Sequence, residues 1–340
     1  MRPTSGGTRL LDRFGRISTD LRVSLTDRCT LRCAYCMPAD GLEWLPTADT
    51  LTDDEVVRLV GIAVGQLGVT EVRLTGGEPT LRAGLPELVG RLAALTPRPE
   101  LSLTTNGLTL ARTAGSGGAA ALRAAGLDRV NVSLDTTCPD RFRAITRRDR
   151  WHDVVDGLAA AAAAALVPVK VNAVLLRGVN DDEAPRLLRW SLDRGYELRF
   201  IEQMPLDAQH GWARARMVTA PEILASLRAE FTLAPLGGRG SAPAELFEVD
   251  GGPARVGVIG SVTAPFCAAC DRVRLTADGQ VRNCLFAREE SDLRTPLRAG
   301  ASDTELAERW RTAVWGKRAG HGIDGPAFRQ PDRPMSAIGG

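Results

Sequence analysis

Hydrophobic and polar positions over the first two thirds of the chain alternate between two periods. Short runs rich in Val, Leu and Thr, at Leu21–Leu25, Glu71–Thr75, Glu100–Thr104, Arg129–Leu134, Val169–Leu175 and Glu197–Glu202, read as six strands. Helically spaced stretches lie between them. Asp53–Leu67 opens on the capping box Thr52-x-x-Glu55, in which each side chain satisfies a backbone N–H that the first helical turn leaves open. The alanine-rich tract Ala159–Ala165 is a strong helix former that Pro168 ends. Such alternation predicts an α/β fold of parallel strands joined by helical crossovers. After Pro205 the regularity stops, and Pro235–Pro243 reads as a boundary or exposed loop. Two hairpins are then predicted. Glu245–Val249 and Arg255–Ile259 flank the turn Asp250-Gly251-Gly252, and Arg272–Thr276 and Gln280–Asn283 flank Ala277-Asp278-Gly279. A helix near Thr304–Trp315 and a polar tail ending Gly339-Gly340 follow, so the expected division is a βα domain over 1–235 and a smaller β-rich module over 236–340.

Composition narrows the function classes. With 44% hydrophobic and 25% charged residues the chain is ordinary globular material, which excludes extensive disorder. A formal charge of +2 argues against a broad nucleic-acid surface. The longest apolar run, Leu158–Val167, falls well short of the roughly 20 residues that span a bilayer, and Met1 to Thr8 contain no apolar signal core. A cytoplasmic protein without membrane attachment is expected. Seven cysteines, six of them in two tight groups, point to metal ligation and away from disulfides. Cys138, before Pro139, has no partner spacing and suits a helix start. Only two lysines occur, Lys170 and Lys317, which sets both apart in an arginine-dominated chain.

Cys29-x-x-x-Cys33-x-x-Cys36 follows the first strand directly, in a loop that can bring three thiolates to one centre. Structural zinc takes four protein ligands and a 4Fe-4S cluster ordinarily takes four cysteines, so three cysteines leave one position open for something that is not protein. Zinc with a distant fourth ligand is the alternative reading. The second group, Cys267-x-x-Cys270 followed by Cys284, again offers three. Alone it would pass for a damaged zinc ribbon; beside the first triad, a second open cluster is the better reading.

Unusual polar residues gather at strand C-terminal ends, among them Gly76, Gly77, Thr104, Asn106, Ser133, Asp135 and Met204, the active-site face of a βα barrel. Arg22, Arg73 and Lys170 interrupt apolar strand interiors, and Lys170 shares a strand face with Asn172. A buried charge needs an answer, either acids such as Glu71 or Glu202 or an anionic ligand. With Arg272 and Arg274 on one face of a later strand, five basic groups near two open clusters suggest a polyanionic substrate, a triphosphate first among candidates.

The CxxxCxxC loop with Tyr35 before its last cysteine, and Thr75-Gly76-Gly77-Glu78-Pro79 after the second strand, resemble the radical S-adenosylmethionine superfamily, in which the open iron chelates S-adenosylmethionine. Paired glycines permit close backbone approach, and Glu78 would offer an acceptor for the ammonium. The wider set is similar to the GTP 3′,8-cyclase family of molybdenum-cofactor biosynthesis. Asp20–Cys29, Val72–Pro79, Leu103–Gly107, Val130–Asp135, Lys170–Asn172, Leu198–Met204, Phe266–Arg274 and the terminal Gly339-Gly340 carry that similarity. The resemblance implies an incomplete (β/α)6 TIM-like barrel with a C-terminal module carrying a second cluster. It implies two 4Fe-4S clusters and S-adenosylmethionine as cofactors, GTP as substrate and (8S)-3′,8-cyclo-7,8-dihydroguanosine 5′-triphosphate as product. By it, a 5′-deoxyadenosyl radical takes hydrogen from ribose C3′, and the carbon radical attacks guanine C8. Tyr35, Gly77, Ser133 and Met204 would contact S-adenosylmethionine, while Arg22, Arg73, Thr104, Lys170, Arg272, Val273 and Arg274 would contact GTP. The Gly-Gly tail would insert toward the site. An electron-donor protein and a cyclic pyranopterin monophosphate synthase that takes the product are the implied partners, with the chain a monomer or homodimer. Glu71 stands where some members carry a basic residue, which weakens or reroutes one phosphate contact; Thr30, where asparagine is common, should be neutral. Two rivals are a peptide-modifying radical enzyme, which would not need the basic positions, and a zinc-stabilised binding module.

Overall fold

The computed structural model describes residues 9–112 and 117–339. Residues 1–8 and Gly340 of the expected tail lie outside them. Twelve strands occur among the described residues: β1 (Asp20–Ser24), β2 (Glu71–Thr75), β3 (Glu100–Thr105), β4 (Arg129–Ser133), β5 (Lys170–Val174), β6 (Glu197–Ile201), β7 (Leu233–Pro235), β8 (Glu245–Val249), β9 (Arg255–Ile259), β10 (Arg272–Leu275), β11 (Gln280–Arg282) and β12 (Ser291–Asp292). The six expected strands are present to within one residue at each end, as are both hairpins.

They form one sheet in the order β12-β11-β10-β1-β2-β3-β4-β5-β6-β9-β8-β7. β1 to β6 pair in parallel in sequence order. Their outer edges pair in parallel with β10 and β9 and not with each other, so the six-stranded unit stays open. The two C-terminal hairpins therefore cap opposite edges, β10–β11 beside β1 and β8–β9 beside β6. Pairing removes the bare backbone N–H and C=O groups that two open edges would expose.

Side-chain alternation divides the sheet into two chemically opposite faces. Leu21, Val23, Val72, Leu74, Leu101, Leu103, Val130, Val132, Val171, Ala173, Leu198 and Phe200 are fully buried in one apolar core with the crossover helices. Each leucine so buried contributes roughly 1.5–3 kcal/mol. The helix Asp53–Leu67 supplies Val56, Leu59, Val60, Ala63 and Leu67 to that layer; its Thr52/Glu55 capping box is formed, and Gly68 ends it at φ 75° in the left-handed region. The intervening strand positions, Arg22, Arg73, Thr104, Ser133, Asn172 and Arg199, all line a single cavity. A sheet whose polar positions from β1 to β6 reach one cavity must curl around it. The helix Asp303–Trp315 carries its own box, Ser302/Glu305, and places Leu306, Trp310 and Val314 in the core. Cys138 is the N-cap of the helix Pro139–Thr146. No helix among the described residues is long and apolar enough to cross a membrane.

Candidate active site

The cavity has a volume of about 250 Å³. Its lining includes Tyr35, Ser133, Asp135 and Met204 together with Cys267, Cys270 and Cys284 of the second triad, whereas Gly77 and the first triad's Cys29, Cys33 and Cys36 are not part of it. Between them, six arginines from five strands face inward: Arg22, Arg73, Arg199, Arg272, Arg274 and Arg282.

The first triad is held by backbone contacts that only glycine allows. Gly77 N–H donates to Thr26 O and Glu78 N–H to Arg28 O, both at 2.7 Å, which seats the end of β2 flush against the cysteine loop. A Cβ on Gly77 would lie 2.3 Å from Arg28 O and 2.5 Å from Asp27 O, so any side chain there would push the loop away. Cys36 N–H closes a turn onto Cys33 O at 2.9 Å, and Arg147 Nη1 grips the loop through Arg32 O and Met37 O, each at 2.9 Å. Asn106 Nδ2 donates to Thr30 Oγ1 at 2.9 Å, so the threonine fills its place with an acceptor. Glu78 is tied into the protein by its own hydrogen bonds. Its Oε1 accepts from Thr80 N, Thr80 Oγ1 and Thr105 Oγ1, and its Oε2 from Asn106 N at 2.7 Å, so four protein donors already occupy a buried carboxylate. It ties the glycine loop to the end of β3.

Among the described residues no three Cys, His, Asp or Glu side chains are already drawn together as an ion site. The thiols of each triad nonetheless feel one another. Burial, then the charges of Asp135, Cys36 and Cys29, push Cys33 well up, and burial pushes Cys36 up to about 12. Cys284 is raised likewise, by burial first and by Cys270 and Cys267 after it. Buried thiols that resist ionisation together form a donor set suited to a cation, because a coordinated thiol is deprotonated by the metal's own charge. Both triads, each a set of three free thiols, fit an iron–sulfur centre by their ligand chemistry. Cys270 is the exception: burial raises it, but the Lys317 ammonium and the Arg272 guanidinium more than offset this and hold it below the ordinary thiol.

Strand register assembles the arginines. Arg22 stands opposite Arg274 on one side and Arg73 on the other, and Arg274 stands opposite Arg282, so four guanidinium-bearing positions form one row across four strands. Burial, only partly countered by Asp20, lowers Arg22 to about 9 and Arg73 to about 10, and burial lowers Arg199 to about 10. All remain charged at neutral pH. Among the described residues the acids paired with this set are Asp20 at 3.8 Å from Arg22 and 4.0 Å from Arg73, Glu197 at 3.5 Å from Arg199 and Asp271 at 3.5 Å from Arg272, with Glu290 on Arg282. Nε of Arg22, Arg73, Arg199, Arg272 and Arg282 is buried without a hydrogen-bond partner. Such a set of unanswered donors is a receptacle for a multiply charged anion.

Most of the residues singled out from the sequence meet here. Thr104 and Ser133 line the cavity, as do Tyr35, Met204, Arg22, Arg73, Arg272 and Arg274. Val273 turns its side chain into the core on the opposite face, leaving only its backbone toward the site. Lys170 does not reach the lining; its Nζ lies 3.4 Å from Glu197 Oε1. Of the two answers left open for the strand cations, acids or an anionic ligand, Glu71 and Glu202 do not supply the first. Glu71 pairs with Arg129 at 3.2 Å, and Glu202 is consumed by the N–H groups of Ala220, Val262 and Thr263. Arg199 and Arg282 went unrecognised in the sequence, although Arg199 interrupts an apolar strand just as Arg22 does. The tail also arrives: Ser24 Oγ donates to Ile338 O at 2.9 Å and Arg274 Nη1 to Gly339 O.

Comparison with known proteins assigns the class first. Residues 23–191 match the Radical SAM superfamily, and residues 196–323 match the family described as Molybdenum Cofactor Synthesis C. Streptococcus suis SuiB, solved with S-adenosylmethionine bound, shares the fold at TM-score 0.60 and 13% identity, over 88% of this chain and 68% of that one. The chain is thus a radical S-adenosylmethionine protein, and that class implies S-adenosylmethionine and a 4Fe-4S cluster. It is 66% identical to the GTP 3′,8-cyclase of Streptomyces coelicolor, over 98% of this chain and 97% of that one. It is 59% identical to GTP 3′,8-cyclase 2 of Mycobacterium tuberculosis, over 99% and 93%. The chain belongs to the GTP 3′,8-cyclase family.

Proposed function

We propose that this chain converts GTP to its 3′,8-cyclised dihydro derivative in molybdenum-cofactor synthesis, working across the cavity between its two cysteine triads. The observation that carries the assignment of the substrate site is the arginine row, in and beside which five guanidiniums hold a buried Nε with no hydrogen-bond partner among the described residues. Cys29, Cys33 and Cys36 would hold a 4Fe-4S cluster beside S-adenosylmethionine, contacted by Tyr35, Gly77, Ser133 and Met204. Cys267, Cys270 and Cys284 would hold a second 4Fe-4S cluster at the guanine end. When bound, these groups supply reductive cleavage of S-adenosylmethionine and the hydrogen abstraction that begins cyclisation.

The protein's own work is positioning and exclusion of water. Arg22, Arg73, Arg272 and Arg274, with Arg199 and Arg282, take the triphosphate in the middle of the cavity, at a fixed distance from both triads. Thr104 lies beside them. Lys170 acts one layer back, sharing Glu197 Oε1 with Arg199. The Arg272 guanidinium stacks on Phe266 at 4.0 Å and donates to Ser241 O at 2.7 Å, which pins the loop before β8 against that end of the cavity. Ile338 and Gly339 close the side near Ser24 and Arg274. The reading includes a cytoplasmic location, an electron-donor protein and delivery of product to a pyranopterin-forming synthase.

The reading is tested with GTP deuterated at ribose C3′. Deuterium is expected in the 5′-deoxyadenosine released; 5′-deoxyadenosine free of label would move the abstraction to another atom and overturn the assigned pose.

A further inference from the structure

Of 43 basic residues only two are lysines, and one of them, Lys317, is buried at 3% exposure behind the second triad. It follows the helix Asp303–Trp315 by one turn residue. Its Nζ donates to Cys270 O at 3.0 Å, to Arg272 O at 2.8 Å and to Cys270 Sγ at 3.4 Å. An ammonium has three hydrogens and no more, and these three acceptors use them all. Among the described residues no carboxylate pairs with it. Two carbonyl dipoles and a sulfur are therefore what answers a positive charge in a water-poor place, where an unanswered one costs several kcal/mol. A guanidinium would not reproduce these three bonds, since its donors are spread over a planar fork and do not converge from one nitrogen. That geometry gives a physical reason for a lysine in a chain that otherwise relies on arginine.

We propose that Lys317 is a positioning residue of the second cluster: its ammonium hydrogen-bonds the Cys270 sulfur and favours the reduced state of the centre bound there. The proposal rests on the reading of Cys267, Cys270 and Cys284 as cluster ligands. Reduction adds one electron, and hence one negative charge, to the centre. A fixed cation in contact with a ligand sulfur stabilises that state over the oxidised one, and hydrogen bonds to sulfur are a recognised lever on cluster potential. The same ammonium joins the Cys267–Cys270 knuckle to the first residue of β10. Cys270 and Arg272, whose side chain enters the cavity, thus share one brace.

The test uses the full chain with Cys29, Cys33 and Cys36 all changed to Ala, so that any cluster signal comes from the second triad. After anaerobic reconstitution, iron and sulfide are assayed and the midpoint is read by electron paramagnetic resonance during a redox titration. Lys317→Met is expected to make reduction about tenfold less favourable, equivalent to about 59 mV for one electron. Lys317→Arg, which keeps the charge and loses the three-point geometry, should fall between Lys317→Met and the parent. The iron–sulfur stretching bands of the parent should shift in D₂O through exchangeable N–H···S protons, and this shift should be smaller in Lys317→Met, where only backbone donors such as those of Arg272 and Phe286 remain. A loaded Lys317→Met cluster with the parent's midpoint overturns the proposal. Should that variant retain no iron, Lys317→Gln replaces it, and an unshifted midpoint there is equally contrary. If the parent with Lys317 intact binds neither iron nor sulfide, the second-cluster reading fails, and that result is visible before Lys317 is touched.

Discussion

The Asp20 carboxylate lies 3.8 Å from the Arg22 guanidinium, two residues along the same strand, with Oδ1 buried and unpaired and Arg73 at 4.0 Å. Burial raises its pKa, but Arg22, Arg73, Arg272 and Arg274 together pull it below the ordinary carboxylate value. It is the acid that makes the empty arginine row tolerable. Asp20→Asn should cost about 3–5 kcal/mol of stability without ligand. Because the folded value is depressed, the wild-type contribution is present above the unfolded carboxyl range and lost as pH falls through the folded value. Inorganic triphosphate should therefore restore more stability to the variant than to the wild type, in thermal denaturation at pH 7. Equal triphosphate shifts in both would contradict the role given to Asp20.

The arginines should show the reverse behaviour. Arg274, flanked by Arg22 and Arg282 in register, is held well below its ordinary pKa by burial and by its neighbours' like charge. Arg274→Met should leave stability without ligand unchanged or higher, while GTP affinity falls about 10- to 100-fold, or about 1.4–2.8 kcal/mol. Arg199→Met should weaken GTP in the same way, which calorimetric titration would measure. A variant that unfolds without losing relative affinity would make these side chains structural.

Asp135 titrates with the opposite sign. It accepts Tyr35 Oη at 2.8 Å and Val174 N–H at 2.9 Å, yet burial pushes it up to about 6. The folded state thus holds its proton longer than the unfolded chain, and stability should decline as pH rises from about 4 through 6. The loss amounts to roughly 3 kcal/mol above that window. Asp135→Asn should match the wild type near pH 4 and exceed it at pH 7, as read from urea midpoints across the range. A pH-independent offset between the two proteins would remove the basis for this assignment.

How much of this was legible in the sequence depends on whether the cause was local. Strand limits and capping boxes follow from short-range periodicity, and both cysteine groups are visible as spacing. The pairing of β10 with β1 joins residues some 250 positions apart, with no local signal. A C-terminal module read as separate is therefore found as two hairpins on opposite edges of one sheet. For the same reason the partners of the strand cations stayed open in the sequence. Lys170 meets Glu197 because β5 and β6 place them in register, whereas Glu71 faces Arg129 and Glu202 turns to backbone donors. Arg199 could have been found by applying to β6 the rule that drew attention to Arg22.

The tail offers a steric test. Gly339 sits at φ 86°, and a Cβ there would lie 2.3 Å from Ser24 Oγ and 2.7 Å from Thr75 Cγ2. Gly339→Ala should unseat the C-terminus without unfolding the sheet. Hydrogen exchange is expected to rise at Met335–Ile338 alone, with turnover reduced at least tenfold. Unchanged protection of that helix would mean that the contacts with Ser24 and Arg274 do not hold it.

The account stands most directly on one anaerobic assay. Reconstituted protein, given a reductant, S-adenosylmethionine and GTP, should release 5′-deoxyadenosine and the 3′,8-cyclised nucleotide in matching amounts. Continued release of 5′-deoxyadenosine with GTP unconsumed would contradict it.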